Sequence, residues 1–208
     1  MRVRAIAAVL LGSVLLLTGC SGPGNPEGQN ASDLGFIEGA GTVITKAPAE
    51  RGDAPKLEGD KLGGGTLSID DYRGRIVVVN VWGAWCTPCR KEMPGLIASS
   101  KELGKLDVDF VGINTGGDNT ASATAYVRAA GVPFPSFFDP QGKLLLNLRD
   151  SIPPKAIPST LVLAPDGRVA AAVIGGVTQQ ALSKVVGQVI RENARASASA
   201  STSPAATP

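Results

Sequence analysis

Cys86-Thr87-Pro88-Cys89 sets two thiols two residues apart. That spacing serves three kinds of chemistry: holding a metal, closing a structural disulfide, or exchanging electrons with another protein's disulfide. The chain has three cysteines and no histidine. The missing histidine removes Ser-His-Asp and Cys-His catalysis and His-ligated zinc or copper. It also removes C-x-x-C-H haem attachment, because Arg90 stands where that site needs His. A structural zinc site wants four ligands and a second pair of cysteines, so no metal site is expected of that kind. A two-coordinate Cu(I) thiolate site stays open as the binding-protein alternative. A structural disulfide across so short a loop would restrict the unfolded chain little.

The elements around the pair favour exchange. Ile76-Val77-Val78-Val79-Asn80-Val81-Trp82 is a β-branched, nearly all-apolar run, the pattern of a strand buried on both faces. A helix is expected from Cys86 to about Leu103, with Pro94 kinking it. A thiol at a helix N-terminus faces unpaired N–H groups and the positive end of the dipole, so its thiolate is stabilised. Cys86 is therefore expected to be the exposed nucleophile, and Cys89, one turn in, the shielded resolving thiol. Arg90 and Lys91 would add positive charge if their heads stayed near. Thr87-Pro88 keeps the loop short and removes one amide donor.

The rest of the chain is read as follows. Thr66–Ile69 is a short strand and Val108–Asn114 a second central strand. Ala121–Ala130 is helical and ends at Gly131. Leu144–Leu148 is apolar and ambiguous. Pro165-Asp166-Gly167 turns an antiparallel hairpin between Thr160–Leu163 and Arg168–Ile174. Gln179–Arg191 is an amphipathic helix with Leu182, Val185, Val186, Val189 and Ile190 on one face. Alternating strands and helices with a closing hairpin predict an α/β domain: a mixed central β-sheet flanked by helices.

The ends of the chain lie outside that domain. Arg2 and Arg4 precede an apolar run from Ala5 to Leu17, a secretory signal too short to span a bilayer. Residues 1–19 are read as this signal. Leu17-Thr18-Gly19-Cys20 resembles the bacterial lipobox, which implies cleavage before Cys20 and its acylation. Two or more acyl chains would anchor the protein stably, each buried CH₂ adding about 0.8 kcal/mol. Residues 20–41 are read as the lipidated cysteine and a Gly/Pro/Asn/Ser-rich tether, 42–192 as the folded domain, and 193–208 as a disordered Ala/Ser/Thr/Pro tail. Without Arg2 and Arg4 the 20 basic side chains fall to 18, matching the 18 acidic ones. No basic field remains to attract nucleic acid, so membrane attachment would come from the lipid alone.

Trp85-Cys86-Thr87-Pro88-Cys89, with Pro94 beyond, resembles thioredoxin-fold proteins. The stretch Leu67–Trp82 and Arg90-Lys91-Glu92-Met93-Pro94 resembles the extracytoplasmic TlpA-like branch, and the likeness runs from about Leu57 to Val189. It implies a thioredoxin-like fold and a thiol–disulfide oxidoreductase whose Cys86–Cys89 pair is the redox group, with no separate cofactor. Trp85, Thr87 and Pro88 would border the substrate. Pro158 matches the cis-proline of such folds, and Ile157 beside it would offer backbone to an extended peptide. Glu92, three residues after Cys89, fits the position of a glutamate that takes a proton from the resolving thiol, a role that partial burial would suit. The alternative is a solvated glutamate paired with a cation. Asn80 stands where cytosolic thioredoxins carry a buried aspartate. Peroxiredoxin-like sites place a Thr or Ser hydroxyl three residues before the reactive cysteine, and here Gly83 stands there, which weakens the thiol peroxidase alternative. The branch also implies partners: a protein disulfide substrate such as apocytochrome c, and a membrane electron donor that keeps the pair reduced.

Overall fold

The computed structural model describes residues 37–201. The signal segment, the lipobox with Cys20, and most of the tether lie outside the described residues. The central sheet has six strands in the order β1-β8-β7-β4-β5-β6. These are β1 Ala40–Thr45, β4 Ile76–Trp82, β5 Val108–Thr115, β6 Ser136–Asp139, β7 Ser159–Leu163 and β8 Val169–Val177. A separate hairpin joins β2 Glu58–Asp60 to β3 Thr66–Ser68. β4 runs parallel to β5, and β5 to β6, while the other pairs are antiparallel. The sheet is mixed.

β4 is buried along its whole length, as its β-branched composition requires at the centre of a two-faced sheet. Its side chains alternate between two cores. Val78 and Trp82 join one cluster with Met93, Leu96, Leu182 and Val185. Val77, Val79 and Val81 join the other, with Leu57, Leu145 and Leu148. The first core is covered by helices α1 Thr87–Leu103 and α3 Gln179–Ser201, with Ala123 of helix α2 Thr120–Ala130 in the same cluster. The second core is closed by the β2–β3 segment and by the ambiguous run Leu144–Leu148, which forms a 3-10 helix. The α-helices thus flank one face of the sheet.

Two boundaries differ from the sequence reading. β1 starts at Ala40 and Ile37 is already buried, inside the stretch read as tether. Gly41 has the composition of a linker but serves a close approach. It sits at a bulge between Ala40 and Thr42, and a Cβ there would overlap the carbonyl oxygen of Ile174. At the other end α3 continues through Ser201, where a disordered tail was expected from residue 193. Ala194, Ala196 and Ala198 carry the highest helix propensity, and they extend a helix whose first four turns are already nucleated by packing. Among the described residues no helix is long and apolar enough to cross a membrane.

If residues 40–45 are part of the fold, Gly41→Ala destabilises the domain by about 1–3 kcal/mol through overpacking. Gly52→Ala, whose added methyl meets nothing within 4 Å, stays within about 0.5 kcal/mol of the parent. Urea unfolding midpoints check both.

Candidate active site

Cys86 caps helix α1. Its backbone is extended, and its sulfur accepts the Cys89 N–H at 3.2 Å. The Cys86 N–H donates to the Gly83 carbonyl, and the Cys86 carbonyl accepts from the Arg90 N–H. Strand β4 therefore delivers the chain into a tight turn, and α1 starts with the Cys89 amide aimed at a sulfur. Pro88 lies in the first turn, where its missing N–H costs nothing. The two cysteines form a disulfide, S–S 2.06 Å with Cα atoms 5.3 Å apart.

In this oxidised state Cys86 is only 3% exposed and Cys89 1%. The sequence reading made Cys86 the exposed nucleophile. Its sulfur is instead tied into the disulfide and the Cys89 amide, within the core that holds Trp82 and Met93. Thr87 and Pro88 are exposed, and Trp85 is 55% exposed, so the rim of the disulfide faces solvent. The Arg90 guanidinium lies over the Tyr126 ring, 5.7 Å from its centroid, a cation–π contact.

The Ile157–Pro158 bond is cis. β7 pairs with β4, Ser159 opposite Val81, which sets Pro158 at the end of β4 that leads to Cys86. The Pro158 carbonyl accepts the Gly175 N–H at 3.0 Å.

Glu92 is 7% exposed and forms no ion pair among the described residues. Its Oε1 accepts from Asn80 Nδ2 at 2.9 Å, and its Oε2 from the Val177 N–H at 3.0 Å. Asn80 Nδ2 also donates to Thr160 Oγ1 at 3.1 Å. The carboxyl borders a cleft of about 440 Å³ lined by Pro88, Lys91, Gly176 and Thr178. Among the described residues no cluster of His, Cys, Asp or Glu is arranged to hold a metal.

On the other side of the cysteines, residues outside the C-x-x-C motif, which no sequence pattern singles out, hold the Gly83-Ala84-Trp85 approach. The Trp85 Nε1–H donates to the Thr115 carbonyl at 3.2 Å, and Asp118 accepts the Ala84 N–H at 2.6 Å. Their available signal was position: Gly116-Gly117-Asp118 joins the end of β5 to α2, at the sheet edge where α/β sites are built.

Residues 51–172 match the AhpC/TSA family. The thiol-disulfide oxidoreductase ResA of Bacillus subtilis is 29% identical over 131 residues, 63% of this chain and 70% of its own. A solved DsbF homologue from Corynebacterium diphtheriae is 34% identical with a TM-score of 0.67, covering 74% of this chain and 96% of that one. A secreted thiol-disulfide isomerase from Corynebacterium glutamicum is 29% identical with a TM-score of 0.68, covering 72% and 92%. The chain belongs to the AhpC/TSA family. Its relatives set it with the TlpA-like, thioredoxin-fold members, and with its Cys86–Cys89 disulfide it is a thiol–disulfide oxidoreductase.

Within this AhpC/TSA site the electrostatics of Glu92 are decided by burial. Desolvation pushes its pKa from the ordinary 4.5 up to about 7, outweighing the two hydrogen bonds that favour the carboxylate. Between those values the folded protein keeps a proton that the unfolded chain has released. Glu92's contribution to the stability of the oxidised protein is therefore fully present below about pH 4.5. About 3 kcal/mol of it is lost as pH rises to about 7. Glu92→Gln removes that slope. The amide is accommodated, because Asn80 Oδ1 has no partner and can turn to accept from it. Urea midpoints of the oxidised protein between pH 5 and 8 measure the effect: the parent falls more steeply with pH than the variant.

Proposed function

We propose that this oxidoreductase works outside the cytoplasm as a reductant of protein disulfides, tethered to the outer face of the membrane through acylated Cys20. Its proposed substrate class is apocytochrome c whose haem-site cysteines have become oxidised. The observation that carries the chemistry is the Cys86 sulfur at the mouth of α1, receiving the Cys89 N–H. A thiolate formed there keeps that hydrogen bond and gains the helix dipole.

The exchange runs in two displacements. Reduced Cys86 attacks one sulfur of the partner's disulfide. That bond breaks, a mixed disulfide forms, and the other partner sulfur leaves as thiolate and takes a proton. Cys89 then gives its proton to the Glu92 carboxylate and attacks the Cys86 sulfur. The partner leaves with both sulfurs reduced, and the enzyme is oxidised by two electrons to the Cys86–Cys89 disulfide. A membrane thiol donor returns two electrons and two protons. A pKa near 7 suits Glu92 to take and release that proton at neutral pH. Trp85, Thr87 and Pro88 form the exposed rim against which the partner would sit. With the Pro158 carbonyl engaged by Gly175, the Ile157 main chain is the edge for an extended peptide. Likeness to the TlpA-like reductants supports the reducing direction, and likeness to a secreted thiol-disulfide isomerase supports action outside the cytoplasm.

Cys89→Ser holds the partner on Cys86 as a mixed disulfide that dithiothreitol releases, whereas Cys86→Ser captures none. Mass spectrometry of the trapped species identifies the substrate, and absence of any c-type cytochrome among them removes that assignment. The direction is read from the potential of the Cys86–Cys89 couple. A value near about −270 mV supports a reductant, and one near about −120 mV makes the protein an oxidant. Tight Cu(I) binding lost in Cys86→Ser, with no insulin reduction by the parent, would favour a copper carrier instead.

A further inference from the structure

The β5–α2 loop is built around the approach to Cys86. Asp118 is 8% exposed. Its Oδ2 accepts from the Ala84 N–H at 2.6 Å and from Asn114 Nδ2 at 2.8 Å, and its Oδ1 faces Ser122 Oγ at 3.4 Å. It does not cap α2, because Asn119 does that through the Ser122 N–H. A buried carboxylate is retained only when donors replace its water, and here the shortest of them belongs to the main chain two residues before the nucleophile. The same loop seats Trp85. The indole N–H donates to the Thr115 carbonyl, and the ring is packed so closely against Gly83 and Gly116 that a Cβ on either would fall 2.5 Å from it.

We propose that Asp118 is a positioning residue for thiol–disulfide exchange: it fixes the Ala84 amide and, with the Thr115 carbonyl and Gly116, locks Trp85 and the Cys86 turn in the geometry that attacks a protein disulfide. Ala84 and Cys86 are adjacent to Trp85 on a segment of four residues between β4 and α1. One charge-assisted bond at its centre removes the freedom of the whole connection. Nothing in the C-x-x-C motif supplies this restraint. It comes from a loop 30 residues further along the chain.

Substitution at Asp118 separates geometry from charge. In Asp118→Asn the amide oxygen takes the place of Oδ2 and still accepts from Ala84 and Asn114, while the amide nitrogen donates to Ser122 Oγ. Asp118→Ala loses every one of these bonds. In the full-length protein Asp118→Ala is expected to reduce insulin about tenfold more slowly, the scale of a small misplacement of reacting groups. Iodide should quench Trp85 more strongly in this variant, and Trp82, being fully buried, does not contribute. Asp118→Asn restores most of both. If Asp118→Ala does not fold, Gly116→Ala, whose methyl drives into the Trp85 ring, is expected to show the same two losses. Wild-type rate and quenching in whichever of these two variants folds overturn the role. So does an Asp118→Asn variant as slow as Asp118→Ala with unaltered quenching, which would mean that charge acts rather than position.

This role rests on the exchange reading above, and the two fail differently. A parent protein that reduces no protein disulfide defeats the exchange reading. Alkylation of reduced Cys86 by iodoacetamide then still decides the anchor: a rate changed in Asp118→Ala and restored in Asp118→Asn sustains it, and equal rates in all three end it.

Discussion

One amide proton directed at one sulfur organises this molecule. The Cys89 N–H reaches Cys86 because the helix begins between them, and the helix begins there because β4 ends five residues earlier, at Trp82. β4 in turn can deliver the chain to that place only as the buried centre of the sheet, with β5 parallel on one side and β7 antiparallel on the other. The parallel side sends the β5–α2 loop back over the cysteines. The antiparallel side brings Pro158 alongside. The two flanks of the redox pair are therefore consequences of strand direction, and a sheet with either neighbour reversed would leave one flank empty.

The carboxyl of Glu92 shows two opposing effects of similar size. Burial disfavours its charge. The Asn80 amide and the Val177 N–H favour it, and burial wins. An aspartate at position 80 would have placed a second carboxyl within hydrogen-bond reach of the first, raising one of the two pKa values strongly. The neutral amide instead lets a single acid occupy the pocket, donating to it while carrying no charge. Its other donor contact, Thr160 Oγ1 on β7, ties the orientation of that amide to the strand that begins next to Pro158. The acid is thus held by a side chain of β4 and the main chain of β8, and β7 fixes the side chain through Thr160.

Much of this was legible in the chain order, and the exceptions have a common cause. Cys86, Cys89, β4, α1 and the closing hairpin announce themselves through local chemistry: a β-branched run, a turn, a helix with apolar periodicity. Glu92 was legible as a position but not as an environment, since no spacing rule states that Asn80 and Val177 converge on it. β1 was hidden because Gly41 has the composition of a linker, and only its partner strand reveals that its missing side chain makes room for Ile174. β6, four residues bracketed by prolines, is too short for alternation to register. The last turns of α3 were hidden by the opposite error, a composition of Ala and Ser that suits a tail as well as it suits the continuation of a packed helix. In each case the deciding partner lies far away in sequence.

That pattern bears on what a C-x-x-C motif can specify. Two thiols at a helix N-terminus can donate or accept electrons, and the dipole stabilises the thiolate in either role. What distinguishes one such site from another is the stability of its reduced form relative to its disulfide. Here the groups that border the pair are contributed from outside the motif: Glu92 through donors on β4 and β8, the Trp85 seat through the β5–α2 loop, and cis-Pro158 beside β7. The motif supplies the reaction, and the tertiary structure supplies the groups that surround it. The same four residues transplanted to a helix without these neighbours would keep the sulfur at the helix N-terminus and lose the contacts that hold it.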